Sequence, residues 1–193
     1  MTLLSPLENI HKKGIFGDYE NKNENDLITI KEKKFLYISQ IVQYKNSSAT
    51  LKDIDGLNLS DEALKVSSNK ETRILWTGPK NWILTTTKKD LLKDINRIFN
   101  EADFAITDLS HSKTVIEIEG KFLREVLKKG CPFNFNDLKK NNCVNSLFNG
   151  ITVTIDMIND NPDMARIFTL RSFGESLYES ISDSCLEFGY RCL

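Results

Sequence analysis

One order of apolar periodicities constrains this chain most, because it occurs twice: two short strand-like runs, then one helical stripe. In the first copy, "TRILWTGP" and "NWILTTT" surround Gly78 and Pro79, a dipeptide that predicts a hairpin turn. "TKKDLLKDINRIFNEA" then sets Leu91, Leu92, Ile95, Ile98, Phe99 and Ala102 on one face of a helix, with Thr87 and Asp90 placed as a capping pair. In the second copy, "GITVTIDMI" and "MARIFTLR" flank a turn at "NDNPD". A helix from Ser172 to Phe188 follows, with Ser172 and Glu175 as a capping box and Phe173, Leu177, Ile181, Cys185 and Phe188 on its apolar side.

The remaining elements fit the same plan. "LITI" and "KFLYISQIVQY" have the β-branched and aromatic content of strands, and "FAITDLS" with "KTVIEIEG" predicts a strand pair. "KFLREVLKKG" predicts a short helix whose inner face is Phe122, Leu123, Val126 and Leu127, ended by Gly130 in a left-handed conformation. The fold class is therefore α+β, with two related antiparallel-sheet-plus-helix halves. The expected organisation is an N-terminal arm and loop over 1–26, a first half over 27–102 and a second over 103–193, forming one compact unit. The arm holds Leu3, Leu4, Leu7, Ile10, Ile15 and Phe16, too apolar to float freely, so it should lie on a partner or on the chain's own core.

Composition excludes several function classes. A formal net charge of -1 lacks the surplus of Lys and Arg that a nucleic-acid partner requires. No apolar run approaches the roughly 18 residues of a membrane span, and the first residues do not read as an export signal. A cytoplasmic protein with reduced thiols is expected, and its 4 cysteines, Cys131, Cys143, Cys185 and Cys192, have no spacing that suggests zinc. Neither a GxGxxG nor a GxxxxGK[ST] phosphate loop occurs, and His11 and His111 stand far apart with no HExxH motif.

Three groups of residues are candidates for chemistry. "TDLSHS" places Asp108, Ser110 and His111 side by side, the residue types of a catalytic triad. On a strand, however, Asp108 and Ser110 point to one side and His111 to the other, so the three cannot converge. The structural reading is a polar strand end or turn. Cys131, between Gly130 and Pro132, has no basic or histidine neighbour to lower its pKa, so a buried, inert thiol is expected. Trp76 and Trp82 flank the hairpin turn and could stack on a flat ligand such as a pterin, or anchor a core or an interface.

Four motifs in order carry a family resemblance: "ILWTGPKNWIL", "ITDLSHSKTVIEIEG", "VLKKGCPFNF" and "FTLRSFGESLYESI". Together they resemble the gamma subunit of bacterial heterotetrameric sarcosine oxidase. The matching positions are Gly78, Pro79 and Trp82; Asp108, Ser110, His111 and Gly120; Lys129, Gly130, Cys131 and Pro132; and Arg171, Ser172, Phe173 and Leu177. That family is similar in turn to the folate-binding fold of the glycine-cleavage T protein. The resemblance implies a complex that oxidatively demethylates sarcosine to glycine, with formation of hydrogen peroxide and 5,10-methylene-tetrahydrofolate.

The resemblance also implies a division of labour. FAD, FMN, NAD, zinc and tetrahydrofolate belong to other subunits, and this chain carries no cofactor, metal or catalytic residue of its own. Its partners would be the alpha, beta and delta subunits, with neither nucleic acid nor membrane involved. Trp76, Gly78, Pro79, Trp82, Asp108, Ser110, His111, Gly130, Cys131, Pro132, Arg171 and Phe173 are then motif or interface positions. The alternative is a stand-alone folate-binding, aminomethyltransferase-like protein.

Overall fold

The computed structural model describes residues 5–193, so Leu3 and Leu4 of the expected arm lie outside the described residues. In chain order the elements are β1 (Gly14–Phe16), β2 (Ile28–Glu32), β3 (Tyr37–Gln43), β4 (Val66–Ser68), β5 (Thr72–Gly78), β6 (Asn81–Thr86), α1 (Leu91–Ile98), β7 (Phe104–Asp108), β8 (Lys113–Glu119), α2 (Leu123–Gly130), β9 (Cys143–Phe148), β10 (Ile151–Asp160), β11 (Asp163–Leu170), α3 (Gly174–Cys185) and β12 (Tyr190–Cys192). The mixed α+β class is the expected one. Strand order is β1-β12-β2-β8-β11-β10-β9 in one sheet and β4-β5-β6-β3-β7 in the other.

The chain divides into two interleaved units. One takes Met1–Lys34, Lys113–Lys140 and Asn145–Leu193; the other takes Phe35–Ser112 and Asn141–Val144. The units are therefore not the sequential halves 27–102 and 103–193. Strand pairing is the reason. β7 pairs with β3, and β8 pairs with β2 and β11, so "FAITDLS" and "KTVIEIEG" belong to different sheets and do not form the expected pair.

In the first unit, alternation lays two apolar rows across one sheet face. Ile30, Ile118, Ala165 and Met157 are in register, as are Ile116, Ile167 and Ile155, and all seven are fully buried. Helices α2 and α3 pack on each other and over β8 and β11, burying Leu123, Val126, Leu127, Leu177 and Ile181. The arm lies on this unit: Leu7 is fully buried, β1 pairs with β12, and His11 Nε2 is 2.9 Å from the Leu193 carbonyl oxygen.

In the second unit, all the strand pairs are antiparallel. Ile41, Ile74, Trp82, Leu84, Ile95, Phe99 and Phe104 form its core, with α1 contributing Ile95. The hairpin turn falls one residue later than expected, on Pro79 and Lys80, with Lys80 at φ 58°. Proline fixes φ near -65°, which rules out the primed turns that suit a two-residue hairpin. A bulge between Trp76 and Gly78 takes up the mismatch. The Lys80 ammonium donates to the carbonyls of Lys45 at 3.2 Å and Ser47 at 3.3 Å.

Helix termini depart from their sequence signals. α1 is shorter than its apolar stripe, and the Thr87 N–H donates to the Glu71 carbonyl at 3.2 Å, extending the strand ladder, so Thr87 makes no cap. Ser172 lies inside a 3-10 turn, Arg171–Phe173, that precedes α3, so the expected capping box with Glu175 does not form. Beyond Cys185 the helix tightens into a second 3-10 turn, Leu186–Phe188. Gly130 closes α2 with helical backbone instead of a left-handed one. Its role is close approach: a Cβ there would sit 2.7 Å from the ring of Phe148.

Candidate functional site

The Asp108, Ser110, His111 cluster forms a turn that ties down its own strand. Ser110 donates from its hydroxyl to Asp108 Oδ1 at 2.6 Å and from its backbone N–H to the same oxygen at 2.9 Å. The Ser110 hydroxyl oxygen also accepts from the Ile38 N–H at 3.0 Å, locking the turn to the start of β3. Partial burial pushes the Asp108 carboxyl up, but the Ser110 hydrogen bonds and the His111 charge outweigh it and hold the group below its ordinary value. His111 is exposed and makes no hydrogen bond with either. A serine bonded to the carboxylate and not to the imidazole lacks the histidine base of a catalytic triad.

The tryptophans divide between roles. Trp82 has no exposed surface, and its indole N–H donates to the Ser60 carbonyl at 2.7 Å. Both its faces are therefore taken, and it offers no platform for a pterin ring. Trp76, its register partner across the hairpin, is half-buried and packs against the same core. Gly78 stands opposite Asn81 at the bulge, and Pro79 is exposed at the turn.

The "KKGCP" segment is likewise structural. Lys129 donates to the Ser184 carbonyl at 2.7 Å and pairs with Glu187 at 2.6 Å, so it fastens α2 to the end of α3. Burial pushes the Cys131 thiol up to about 11, with a hydrogen bond to Ser146 opposing, which keeps it protonated and inert at neutral pH. Pro132 is exposed beside it. In the "LRSF" motif, Arg171 is half-buried, whereas Leu170 and Phe173 are 47% and 48% exposed.

A polar concavity lies elsewhere, on the face of the seven-stranded sheet opposite α2 and α3. There Lys31, Glu117, Arg166 and Asp156 form a register row of alternating charge across β2, β8, β11 and β10. Glu117 is 3% exposed and accepts from Lys31 Nζ at 2.6 Å and Arg166 Nε at 2.8 Å. Burial pushes its carboxyl up, but the two cations outweigh that and hold it below its ordinary value.

Beside this row opens a cleft of about 470 Å³ whose lining includes Thr29, Lys31, Glu119, Asn161 and Arg191. Arg191 Nε donates to Thr29 Oγ1 at 3.2 Å, and Arg124 grips Asp163 through two nitrogens at 2.9 and 3.1 Å. The lining offers charges and amides for hydrogen bonding, not a nucleophile beside a base. Sequence reasoning did not single out this face. Its trace was the alternation in "VIEIEG", which puts Glu117 and Glu119 opposite the apolar rows. Among the described residues, no three His, Cys, Asp or Glu side chains gather as a metal site.

Comparison with curated proteins finds no match. Among solved structures, the chain is similar to one in the heterotetrameric sarcosine oxidase from Corynebacterium sp. U-96 in complex with pyrrole 2-carboxylate. The TM-score is 0.83 at 21% identity, covering 96% of this chain and 95% of that one. It is also similar to the glycine cleavage system aminomethyltransferase T from Bartonella henselae, with a TM-score of 0.60 and 13% identity. That match covers 93% of this chain and 57% of the other. These likenesses establish the fold, and the sequence supplies the family: the SoxG profile (sarcosine oxidase, gamma subunit family) matches residues 44–187, so the chain belongs to the sarcosine oxidase gamma subunit family.

Proposed function

We propose that this chain is a noncatalytic, structural subunit of a cytoplasmic heterotetrameric sarcosine oxidase, held with alpha, beta and delta subunits. The complex converts sarcosine to glycine, hydrogen peroxide and 5,10-methylene-tetrahydrofolate. FAD, FMN, NAD, zinc and tetrahydrofolate are carried by the other subunits. The family match over residues 44–187 carries this reading. Two features support it: Ser110 is engaged by a carboxylate and backbone, and the Cys131 thiol is pushed up to about 11.

Co-expression with the other three subunits tests the proposal. A tagged copy of this chain should retain all three through gel filtration, and the purified assembly should release hydrogen peroxide when given sarcosine. A chain that stays monomeric when mixed with them overturns it. The fold likeness to an aminomethyltransferase favours one other reading, a stand-alone tetrahydrofolate binder. Calorimetry of the isolated chain separates the two, because only that reading expects heat on addition of tetrahydrofolate.

A further inference from the structure

The cleft beside the charged row of the seven-stranded sheet is built from one unit, and its floor and rim have different origins. The floor is a register row: Arg191 on β12 stands beside Thr29 on β2, and Thr29 beside Glu119 on β8, so all three project from the same face. The rim comes from three connections. The turn before β2 supplies Asn25, the chain just after β8 supplies Lys121, and the turn between β10 and β11 supplies Asn161. Its volume of about 470 Å³ lies within the range of small-molecule sites.

Three charges of the cleft are neutralised within the chain. Lys31 is held by Glu117 at 2.6 Å, and Asp160 and Asp163 are held by Arg124 at 3.3 and 2.9 Å. The two charges of the floor row are not. Arg191 uses only its Nε, on the Thr29 hydroxyl at 3.2 Å, so its terminal nitrogens have no partner among the described residues. Glu119 is half-buried, and its carboxylate has no hydrogen bond or ion pair among the described residues. One unpaired charge is ordinary on a protein surface. Here, however, two of opposite sign share one row of one concavity and do not meet. Neighbouring strands lie about 4.8 Å apart, so the Cα atoms of Arg191 and Glu119, with Thr29 between them, are roughly 10 Å apart.

A molecule that carries both charges bridges such a gap. An arginine fork receives a carboxylate through two parallel hydrogen bonds, and a carboxylate receives an ammonium. We propose that this cleft binds a free α-amino acid with a polar side chain, its carboxylate on Arg191 and its ammonium on Glu119. The ligand side chain then lies toward Asn25, Lys121 and Asn161 at the rim. Thr29 is a positioning residue, since its hydroxyl holds the guanidinium over the floor. A dicarboxylate would set a like charge against Glu119, and a simple amine would leave Arg191 unmet. The site lies on this chain alone, so it does not depend on the reading of the chain as a subunit.

The test is calorimetric titration of L-glutamine into the full-length chain, with amide NMR spectra to locate the site. L-Glutamine should bind in the millimolar range and shift the resonances of Thr29, Glu119 and Arg191. Glutaramate, which lacks the ammonium, and γ-aminobutyramide, which lacks the carboxylate, should each bind about tenfold more weakly. Glu119→Gln should bring L-glutamine down to the level of glutaramate without weakening glutaramate itself. Arg191→Gln should bring it down to the level of γ-aminobutyramide, and Thr29→Val should weaken it less than either. Lys89→Gln, at an exposed lysine of the other sheet's unit, should leave binding unchanged.

Absence of heat and of resonance shifts with L-glutamine, L-glutamate and L-serine overturns the site. Equal binding of L-glutamine and its two truncated analogues also overturns it, since the cleft would then be only a charged surface. Shifts confined to residues outside the cleft do the same. Glu119 ends β8 and has no side-chain partner in the chain, so Glu119→Gln carries the test if Arg191→Gln does not fold. Loss of this site leaves the subunit reading intact, because co-expression decides that separately.

Discussion

Trp82 shows how a single side chain changes meaning with its surroundings. In the sequence it is an aromatic residue beside a turn, equally suited to a ligand, an interface or a core. In the fold its ring is fully buried and its N–H is satisfied by Ser60. Trp82→Ala should therefore cost about 3–5 kcal/mol and lower the melting temperature of the isolated chain by roughly 10 °C. Differential scanning calorimetry checks this, and an unchanged melting temperature would return the residue to the interface.

Asp55 gives a second prediction at this scale. Hydrogen bonds from Lys88, Thr72 and Asn69 hold its carboxyl down at about 2, from 3.8. Lys88 reaches it at 2.8 Å, clipping the loop before β4 to the end of β6. A carboxyl with a lowered folded pKa contributes fully above its unfolded pKa, and that contribution is lost as pH falls toward 2. Asp55→Asn should accordingly lower the urea midpoint at pH 6, and the gap from the wild type should close between pH 4 and 2. A gap that persists undiminished at pH 2 would show that the loop is held by something other than this charge.

At the scale of elements, Gly130 was legible as a helix-ending glycine, but its reason was not. The position takes helical backbone, where alanine is ordinarily preferred by about 1 kcal/mol. Here a Cβ would lie 2.7 Å from the ring of Phe148, which is fully buried and has no space to withdraw. Gly130→Ala should destabilise by about 1–3 kcal/mol despite the better helix former, as chemical unfolding would reveal. The cores of α2 and α3 were readable from spacing at Leu123, Val126, Leu127, Leu177, Ile181 and Cys185, but not at Phe173, which the 3-10 turn before α3 leaves 48% exposed. The caps of α1 and α3 were not, because Thr87 and Ser172 were claimed by a neighbouring strand and a 3-10 turn.

The whole molecule depends on segments that the order of the chain separates. β3 needs β7, and Asn141 accepts from the Val66 N–H at 2.9 Å and from the Ser68 hydroxyl at 3.0 Å. A fragment of residues 27–102 contains neither β7 nor Asn141. It should remain unfolded by circular dichroism, whereas two sequential halves would predict an independently stable first one.

Local pattern determined the fold class and the family. Alternation, helical stripes and the spacing of four motifs are properties of neighbouring residues, and they survive without knowledge of what lies opposite. Strand partners, the division into interleaved units and the fate of each polar group belonged to tertiary structure alone. The Asp108, Ser110, His111 cluster became a turn because Ile38 supplies Ser110 with its partner from 72 positions away. Glu117 gained two cations from β2 and β11, while Lys113, four residues before it on the same strand, gained none. Burial and pairing depend on residues brought together from distant parts of the chain, so only the folded chain could separate the paired charge from the unpaired one.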